Sequence, residues 1–167
     1  MKRYSRQAIE KHASFCSEPI ASFEYRRNQA CYSVPELQRH VAQPVAFHVG
    51  PDRQWLLQQR VDGRLCSEVG ASWTNGQWHA LRRRLLAIAA LAHRAGIYDL
   101  DLHPRNVILL GSGDQDADVV GEPVFFDFNL VPFTERQRPT LLGWLYRLGL
   151  VEANERDLRR IRQRFRC

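Results

Sequence analysis

The sequence feature that most constrains the fold is an ordered series of elements in the second half of the chain. Apolar residues recur at helical spacing from 77 to 95, and Gly96 follows at a position where helices typically end. A polar loop then leads to an apolar run at 107–110, and a second apolar run at 124–126 precedes Asp127. A long amphipathic helix followed by two short strands predicts an α+β arrangement.

The composition of the 167-residue chain is that of one globular domain, with 44% hydrophobic and 25% charged residues. The Gly-Pro-Asp sequence at 50–52 predicts a turn between two strands, because these residues favour tight turns. The other predicted elements, in chain order, are a helix at 20–30, a short helix at 35–40, strands at 45–49 and 54–61, a loop at 64–76, a turn at 111–118, and helices at 141–150 and 152–164.

Arginine supplies most of the formal net charge of +6. Clusters of arginine are usually solvated helix faces, although a basic face can also meet nucleic acid, anionic lipid or a phosphorylated substrate. Aromatic residues are not interleaved with the arginines as they are in recognised nucleic-acid modules, so nucleic acid is not expected as the main partner. The clusters are residues 82–84 and the tail residues Arg156, Arg159, Arg160, Arg162, Arg164 and Arg166.

The four cysteines predict neither a zinc site nor a disulfide framework. Cys16, Cys31, Cys66 and Cys167 are widely spaced and include no Cys-x-x-Cys pair, so we expect ordinary reduced thiols. The charged N-terminal segment is not followed by the apolar run of a secretory signal or a membrane span. We therefore expect a cytoplasmic protein without a membrane span.

The residues that can carry chemistry lie in and beyond the loop after the long helix. Asp101 precedes Asn106 by five residues, in the sequence Asp-Leu-His-Pro-Arg-Asn ahead of a predicted strand. In phosphoryl transfer a carboxylate faces the attacking hydroxyl while an amide oxygen helps to hold a metal, and a short loop can present both groups. Asp127, at the end of the second strand, is then the principal Mg²⁺ ligand. Each is an ordinary loop residue when taken alone, whereas their order and spacing together favour a phosphotransfer site.

Residues 101–109 resemble the catalytic loop of the aminoglycoside-phosphotransferase-type and lipopolysaccharide-type small kinases, and the Asp-Phe-Asn sequence at 127–129 resembles their Asp-Phe-Gly motif. Among these families the chain is most similar to the PhoP regulatory network protein YrbL family of bacterial kinase-like proteins. The resemblance implies a single protein-kinase-like domain of α+β class. Its truncated N-terminal lobe would be residues 1–62, and its small helical C-terminal lobe would be residues 63–167.

The resemblance also implies residues that bind ATP. Lys2 corresponds to the lysine that pairs with the phosphates, and Glu24 corresponds to the helix glutamate that holds this lysine, with Glu18 as the alternative. The segment after the second strand of the hairpin corresponds to the hinge against which adenine stacks, so Gln59 and Val61 are expected to contact it. ATP and Mg²⁺ are the implied cofactors, with Asn106 and Asp127 as metal ligands.

The chain departs from the kinase pattern in several places. No glycine-rich phosphate-covering loop precedes the first helix, which suggests either a start inside a longer reading frame or a naturally reduced form. Asn129 replaces the glycine of Asp-Phe-Gly, and asparagine tolerates the left-handed backbone better than most residues. Asp99 replaces a histidine, and we expect a raised pKa for one of Asp99 and Asp101 if both face the cleft. No Ala-Pro-Glu segment follows, so a small molecule or an envelope glycolipid is expected as acceptor rather than a peptide.

These features favour transfer of the ATP γ-phosphate to an unidentified hydroxyl acceptor. The alternative is a catalytically weak pseudokinase that acts as a regulatory binding module, with a protein partner at the arginine-rich tail. A third and weaker hypothesis, a nucleic-acid-associated protein, is motivated by the isoelectric point near 9.5.

Overall fold

The computed structural model describes residues 1–111, 120–128, 131–138 and 140–165. The α+β class predicted from the sequence is confirmed. The strands are β1 (Lys2–Arg3), β2 (Pro44–Val49), β3 (Gln54–Gln58), β4 (Arg64–Leu65), β5 (Val107–Leu110) and β6 (Glu122–Phe125). The helices are α1 (Arg6–Ala13), α2 (Ile20–Tyr32), α3 (Cys66–Val69), α4 (Asn75–Arg94), α5 (Leu141–Arg147) and α6 (Glu155–Arg164).

The first sheet has the strand order β1-β3-β2, and both pairings are antiparallel. The predicted hairpin is confirmed, but its second strand ends at Gln58 and not at Val61. Gln58 lies opposite Pro44, which has no N–H group and cannot donate a hydrogen bond to the ladder. The two residues of β1 were not predicted from the sequence. They pair with Leu56 and Trp55, which places Lys2 at one edge of the sheet.

Helix α2 packs on this first sheet and confirms the helix predicted at 20–30. It begins directly after Pro19, and Phe23, Glu24 and Asn28 on its inner face are fully buried. Helix α1 was not predicted as a separate element. Its start is marked by Ser5, whose side chain accepts a hydrogen bond from the Ala8 N–H.

The second sheet has the order β4-β5-β6, and all of its pairings are antiparallel. The loop predicted at 64–76 is wrong, because this segment contains β4, α3 and a short 3-10 turn at 70–72. Leu65 pairs with Ile108 of β5, and Cys66 is completely buried in the main hydrophobic core, the larger cluster that also contains Leu85, Val107 and Phe125. Non-local pairing and burial therefore order a segment whose own pattern has no clear period.

Helix α4 forms the centre of the main core, close to the predicted range of 77–95. Its first turn is closed by a capping box in which Thr74 and Gln77 exchange side-chain and backbone hydrogen bonds. Gly96 follows the helix with a φ of +74°, a left-handed conformation that glycine adopts without strain. The buried residues of the helix are Leu81, Leu85, Ile88, Ala89 and Ala92.

The C-terminal helices are shorter than predicted. Helix α5 ends at Arg147 and Gly149 follows with a φ of +70°, whereas the predicted helix continued to residue 150. Helix α6 starts at Glu155, three residues later than predicted, and packs against α4. Ile161 and Phe165 are completely buried in the main core, so α6 is an integral part of the domain.

Two further expectations concern the cysteines and the membrane. Cys16, Cys31 and Cys66 are buried and free, and burial raises the pKa of the thiols of Cys31 and Cys66 to about 12. Cys167 and most of the predicted turn at 111–118 lie outside the described residues. Among the helices that the structure describes, none has the length and apolar character needed to cross a bilayer.

Candidate functional site

Three of the sequence-predicted site residues meet in one ion-paired cluster. The Lys2 Nζ atom lies 2.7 Å from Glu24 Oε1, 2.9 Å from Glu24 Oε2 and 2.9 Å from Asp127 Oδ1. The three residues come from β1, α2 and the segment after β6. The side chains of Lys2 and Asp127 remain 27% and 20% exposed, so the cluster is open to solvent on the side of these two residues.

Glu24 is the buried anchor of this cluster, with no exposed surface. Besides Lys2, it accepts a hydrogen bond of 2.5 Å from the Tyr4 hydroxyl and one of 3.3 Å from the Phe128 N–H. Burial raises the pKa of the Glu24 carboxyl, and the Lys2 charge opposes this effect. Burial and the Glu24 charge raise the pKa of Tyr4, which therefore stays a hydrogen-bond donor.

Glu18, the alternative partner of Lys2, lies in a different group of contacts. Its carboxylate accepts hydrogen bonds from the Ser22 hydroxyl at 2.8 Å and from the Arg26 guanidinium at 3.0 and 3.1 Å. The ion pair with Lys2 is therefore made by Glu24.

The loop after α4 holds the other two predicted residues, Asp101 and Asn106. The Asn106 side-chain N–H donates to the Asp101 carbonyl at 3.2 Å across a 3-10 turn at residues 104–106. Asp101 has a φ of +49° and lies between the buried residues Leu100 and Leu102, with its own side chain 20% exposed. The structure thus brings Asp101 and Asn106 together in one short loop, directly before β5.

Asp99 lies on the inner side of this loop and does not face a cleft. It is 1% exposed, and its carboxylate lies 3.3 Å from Arg156 Nη1 and 3.6 Å from Arg160 Nη1. Its pKa is raised, mainly by burial, while the two arginines oppose the rise. A raised pKa for one aspartate of the pair was expected from the proximity of Asp101, and the structure instead gives burial as the main cause.

Arg27 holds the same loop through hydrogen bonds to its backbone. Its Nη2 atom donates to the carbonyls of Tyr98 and Asp99 at 2.6 and 2.9 Å. Because Asp99 has a φ of +56°, these carbonyls are held in a turn that an L-residue seldom adopts unaided.

Sequence reasoning missed one residue of the loop's surroundings, Arg164. Its Nη1 atom donates to Asp101 Oδ1 at 3.0 Å and to the Leu102 carbonyl at 3.2 Å. The sequence pattern instead predicts a solvated helix face for the tail arginines. The spacing of four residues between Arg156, Arg160 and Arg164 would have placed them on one helix face, but only the fold shows which residues they meet.

Gln59 and Val61 follow β3, and the Gln59 N–H donates to the Gln43 carbonyl at 2.8 Å. Both residues line a cavity of about 280 Å³ together with Leu110 and Val124. None of the described residues lining this cavity belongs to the Lys2 cluster. The adenine contacts of Gln59 and Val61 therefore stay a prediction.

Asp127 and Asn106 each carry a side-chain oxygen of the type that Mg²⁺ binds. Among the described residues, no three His, Cys, Asp or Glu side chains gather closely enough to hold a metal. Mg²⁺ often takes one or two protein oxygens and completes its shell with phosphates and water, which is compatible with Asp127 and the Asn106 amide oxygen. Asn129, the third residue of the Asp-Phe-Asn motif, lies outside the described residues.

The site therefore has two parts. In one, the Lys2 ammonium group is paired with the carboxylates of Glu24 and Asp127. In the other, the loop after α4 carries the Asp101 carboxylate and the Asn106 amide. Such groups can bind a polyanion and a divalent cation, and can orient a hydroxyl group. No model of a known protein family matches the sequence, and comparison with curated proteins finds no significant match.

Proposed function

We propose that the protein is a protein-kinase-like phosphotransferase that uses ATP and Mg²⁺ to phosphorylate a hydroxyl group. The observation that carries this proposal is the contact of Lys2 with both Glu24 and Asp127. These residues are 22 and 125 positions away from Lys2 in the sequence. A lysine held by a helix glutamate, beside the aspartate that binds the metal, is the arrangement that protein-kinase phosphoryl transfer requires.

The proposal gives each of the site residues a role. Lys2 binds phosphate oxygens of ATP, and Glu24 holds the lysine in place while fixing the backbone at Phe128. Asp127 and Asn106 supply oxygen ligands to Mg²⁺, which neutralises phosphate charge when it is bound. Asp101 orients the acceptor hydroxyl and takes its proton. Gln59 and Val61 contact the adenine ring.

The family and the acceptor belong to the same proposal. The Asp101–Asn106 loop and the Asp127 motif support a relationship to the YrbL family of bacterial kinase-like proteins. We expect the acceptor to be a small molecule or an envelope glycolipid rather than a peptide.

Calorimetric titration with ATP in the presence and absence of MgCl2 tests the nucleotide site. The wild-type protein should bind ATP, and Mg²⁺ should strengthen the binding. Asp127→Asn should remove the effect of Mg²⁺, and Lys2→Met should weaken ATP binding by about tenfold or more, because a charge-assisted contact to phosphate is lost.

Matched controls come from the exposed surface. Asp52→Asn in the β2–β3 turn and Lys11→Met on α1 remove the same charges from exposed positions and should leave ATP binding unchanged. A wild-type protein that binds no ATP, or an Asp127→Asn variant that responds to Mg²⁺ like the wild type, would contradict the proposed function.

A second candidate function is a nucleotide-binding module without catalysis. It is favoured by one contact, because Asp101 Oδ1 is engaged by Arg164. The two functions differ in the fate of the γ-phosphate, which can be followed with labelled ATP. Consumption of ATP that is lost in Asp101→Asn supports the phosphotransferase. Tight binding of ATP without consumption, equal in wild type and Asp101→Asn, supports the binding module.

A further inference from the structure

Helix α6 presents three arginines, spaced four residues apart, to the loop that carries Asp99 and Asp101. Arg156 and Arg160 lie near the buried Asp99, and Arg164 lies against Asp101. The helix is fixed by Ile161 and Phe165, both completely buried. Arg164 is therefore a fixed component of the loop's surroundings.

Arg164 differs from the other two arginines in what remains available on its guanidinium group. Its Nη1 atom makes the hydrogen bonds to Asp101 and Leu102, whereas Nε and Nη2 have no hydrogen-bond partner among the described residues. The side chain is 31% exposed. A guanidinium group with free donors on one edge is suited to the paired oxygens of a phosphate or carboxylate group.

The charge around Asp101 also favours an anion. Arg105 is exposed in the same loop, two residues after His103. The pKa of His103 is lowered by burial first and then by the charges of Arg164 and Arg105. Two arginines against the single carboxylate of Asp101 leave an excess positive charge, which a phosphate monoester with a charge of about −1.5 to −2 can neutralise.

We propose that Arg164, assisted by Arg105, binds a phosphate group of the acceptor and so places the acceptor's hydroxyl at Asp101. The acceptor would then be an already phosphorylated molecule. Its role as acceptor rests on the proposed function, whereas the phosphate site at Arg164 can be tested without nucleotide.

The test uses inorganic phosphate as the probe, with binding followed by calorimetry or by chemical shifts in the absence of ATP. The wild type should bind phosphate saturably, and Arg164→Gln should weaken this binding by about fivefold or more, because a charge-assisted contact is lost. The control Arg159→Gln removes an exposed arginine from the same helix and should change binding by less than about twofold. Acetate, a monoanion, should bind more weakly than phosphate.

Two further variants keep the test decisive. Arg105→Gln should also weaken phosphate binding, and it serves in place of Arg164→Gln if the latter unfolds. Lys11→Met, at an exposed position on α1, should leave nucleotide-free phosphate binding unchanged. Phosphate binding that is lost in Lys2→Met but kept in Arg164→Gln would overturn the inference and leave the proposed function standing.

Titration with ATP and Mg²⁺ separates the two proposals. Arg164→Gln should bind ATP like the wild type, and a loss as large as that of Lys2→Met would assign Arg164 to the nucleotide and overturn its role toward the acceptor. If the wild type binds phosphate through Arg164 but binds no ATP, the proposed function and the acceptor role fail together while the anion site is retained.

Discussion

Glu24 shows how one residue can join distant parts of the chain. Its carboxylate has no exposed surface, yet it accepts hydrogen bonds from Lys2, Tyr4 and the Phe128 backbone. A buried carboxylate is stabilised only when such donors compensate for lost hydration. Removing it would leave the buried Phe128 N–H group without its acceptor.

Glu24→Ala should therefore lower the free energy of unfolding by about 1–3 kcal/mol, the usual effect of an unsatisfied buried donor. Urea denaturation of the two proteins measures the difference. The control Glu10→Ala removes a glutamate that is paired with Arg6 on the exposed face of α1, and it should change stability by less than about 0.5 kcal/mol. Equal effects of the two substitutions would show that the buried contacts of Glu24 do not stabilise the fold.

The buried His40 should make the stability of the folded protein depend on pH. The residue is 4% exposed, its Nδ1 atom lies 3.0 Å from the Pro123 carbonyl, and Arg39 Nε donates to its Nε2 atom. These partners fit the neutral ring with a proton on Nδ1. Burial lowers the pKa of His40, although Glu122 lies 3.5 Å away.

Because the pKa of His40 is lower in the folded state, the unfolded chain takes up a proton first on acidification. Stability should thus fall as pH drops below about 6.5, with a slope of at most about 1.4 kcal/mol per pH unit from this residue. His40→Asn, which keeps a donor for Pro123 but cannot be protonated, should reduce the slope in denaturation measured from pH 5 to 8. The control His48→Asn, on the exposed part of β2, should leave this slope unchanged.

At the scale of elements, α4 owes its start to the Thr74–Gln77 capping box. Thr74→Ala should lower the free energy of unfolding by about 0.5–2 kcal/mol, because the Gln77 N–H loses its side-chain acceptor. Thr134→Ala, at an exposed position outside the helices, is the control and should have little effect. Thermal unfolding of both variants measures the difference, and an unchanged Thr74→Ala protein would contradict the role of the cap.

The elements that could be predicted from the sequence are those with a local pattern. Helix α4 has a long apolar period and a glycine stop, and the β2–β3 hairpin has a strong turn sequence. The two-residue strand β1 and the short strand β4 have too few residues for any period, and they form because β3 and β5 offer edges for pairing. Their positions therefore depend on the completed fold.

The site residues also divide into those that could be predicted from the sequence and those that could not. Asp101, Asn106 and Asp127 could be selected from spacing, and the contact between Lys2 and Glu24 agrees with the partner that the family resemblance implied. Arg164 could not be selected, because its contact with Asp101 depends on how α6 packs against α4. Periodicity indicates which residues share a helix face, but not what that face meets.

At the scale of the whole molecule, α6 links the main core to the loop of Asp101. Ile161→Ala should lower the free energy of unfolding by about 2–5 kcal/mol, as expected for a completely buried aliphatic residue. Gln163→Ala, on the exposed face of the same helix, should have little effect. Denaturant unfolding distinguishes the two, and an Ile161→Ala protein of wild-type stability would show that α6 is not part of the cooperative core.

The contact between Lys2 and Asp127 spans 125 positions, and that between Arg164 and Asp101 spans 63. Contacts of such wide sequence separation form slowly, because long loops must close before any favourable interaction is gained. Helix α4, in contrast, closes through local hydrogen bonds and can appear early. A partly folded population would then have much of the helical circular dichroism of the native protein without a functional site. Helical content alone would therefore overestimate the fraction of molecules competent for binding.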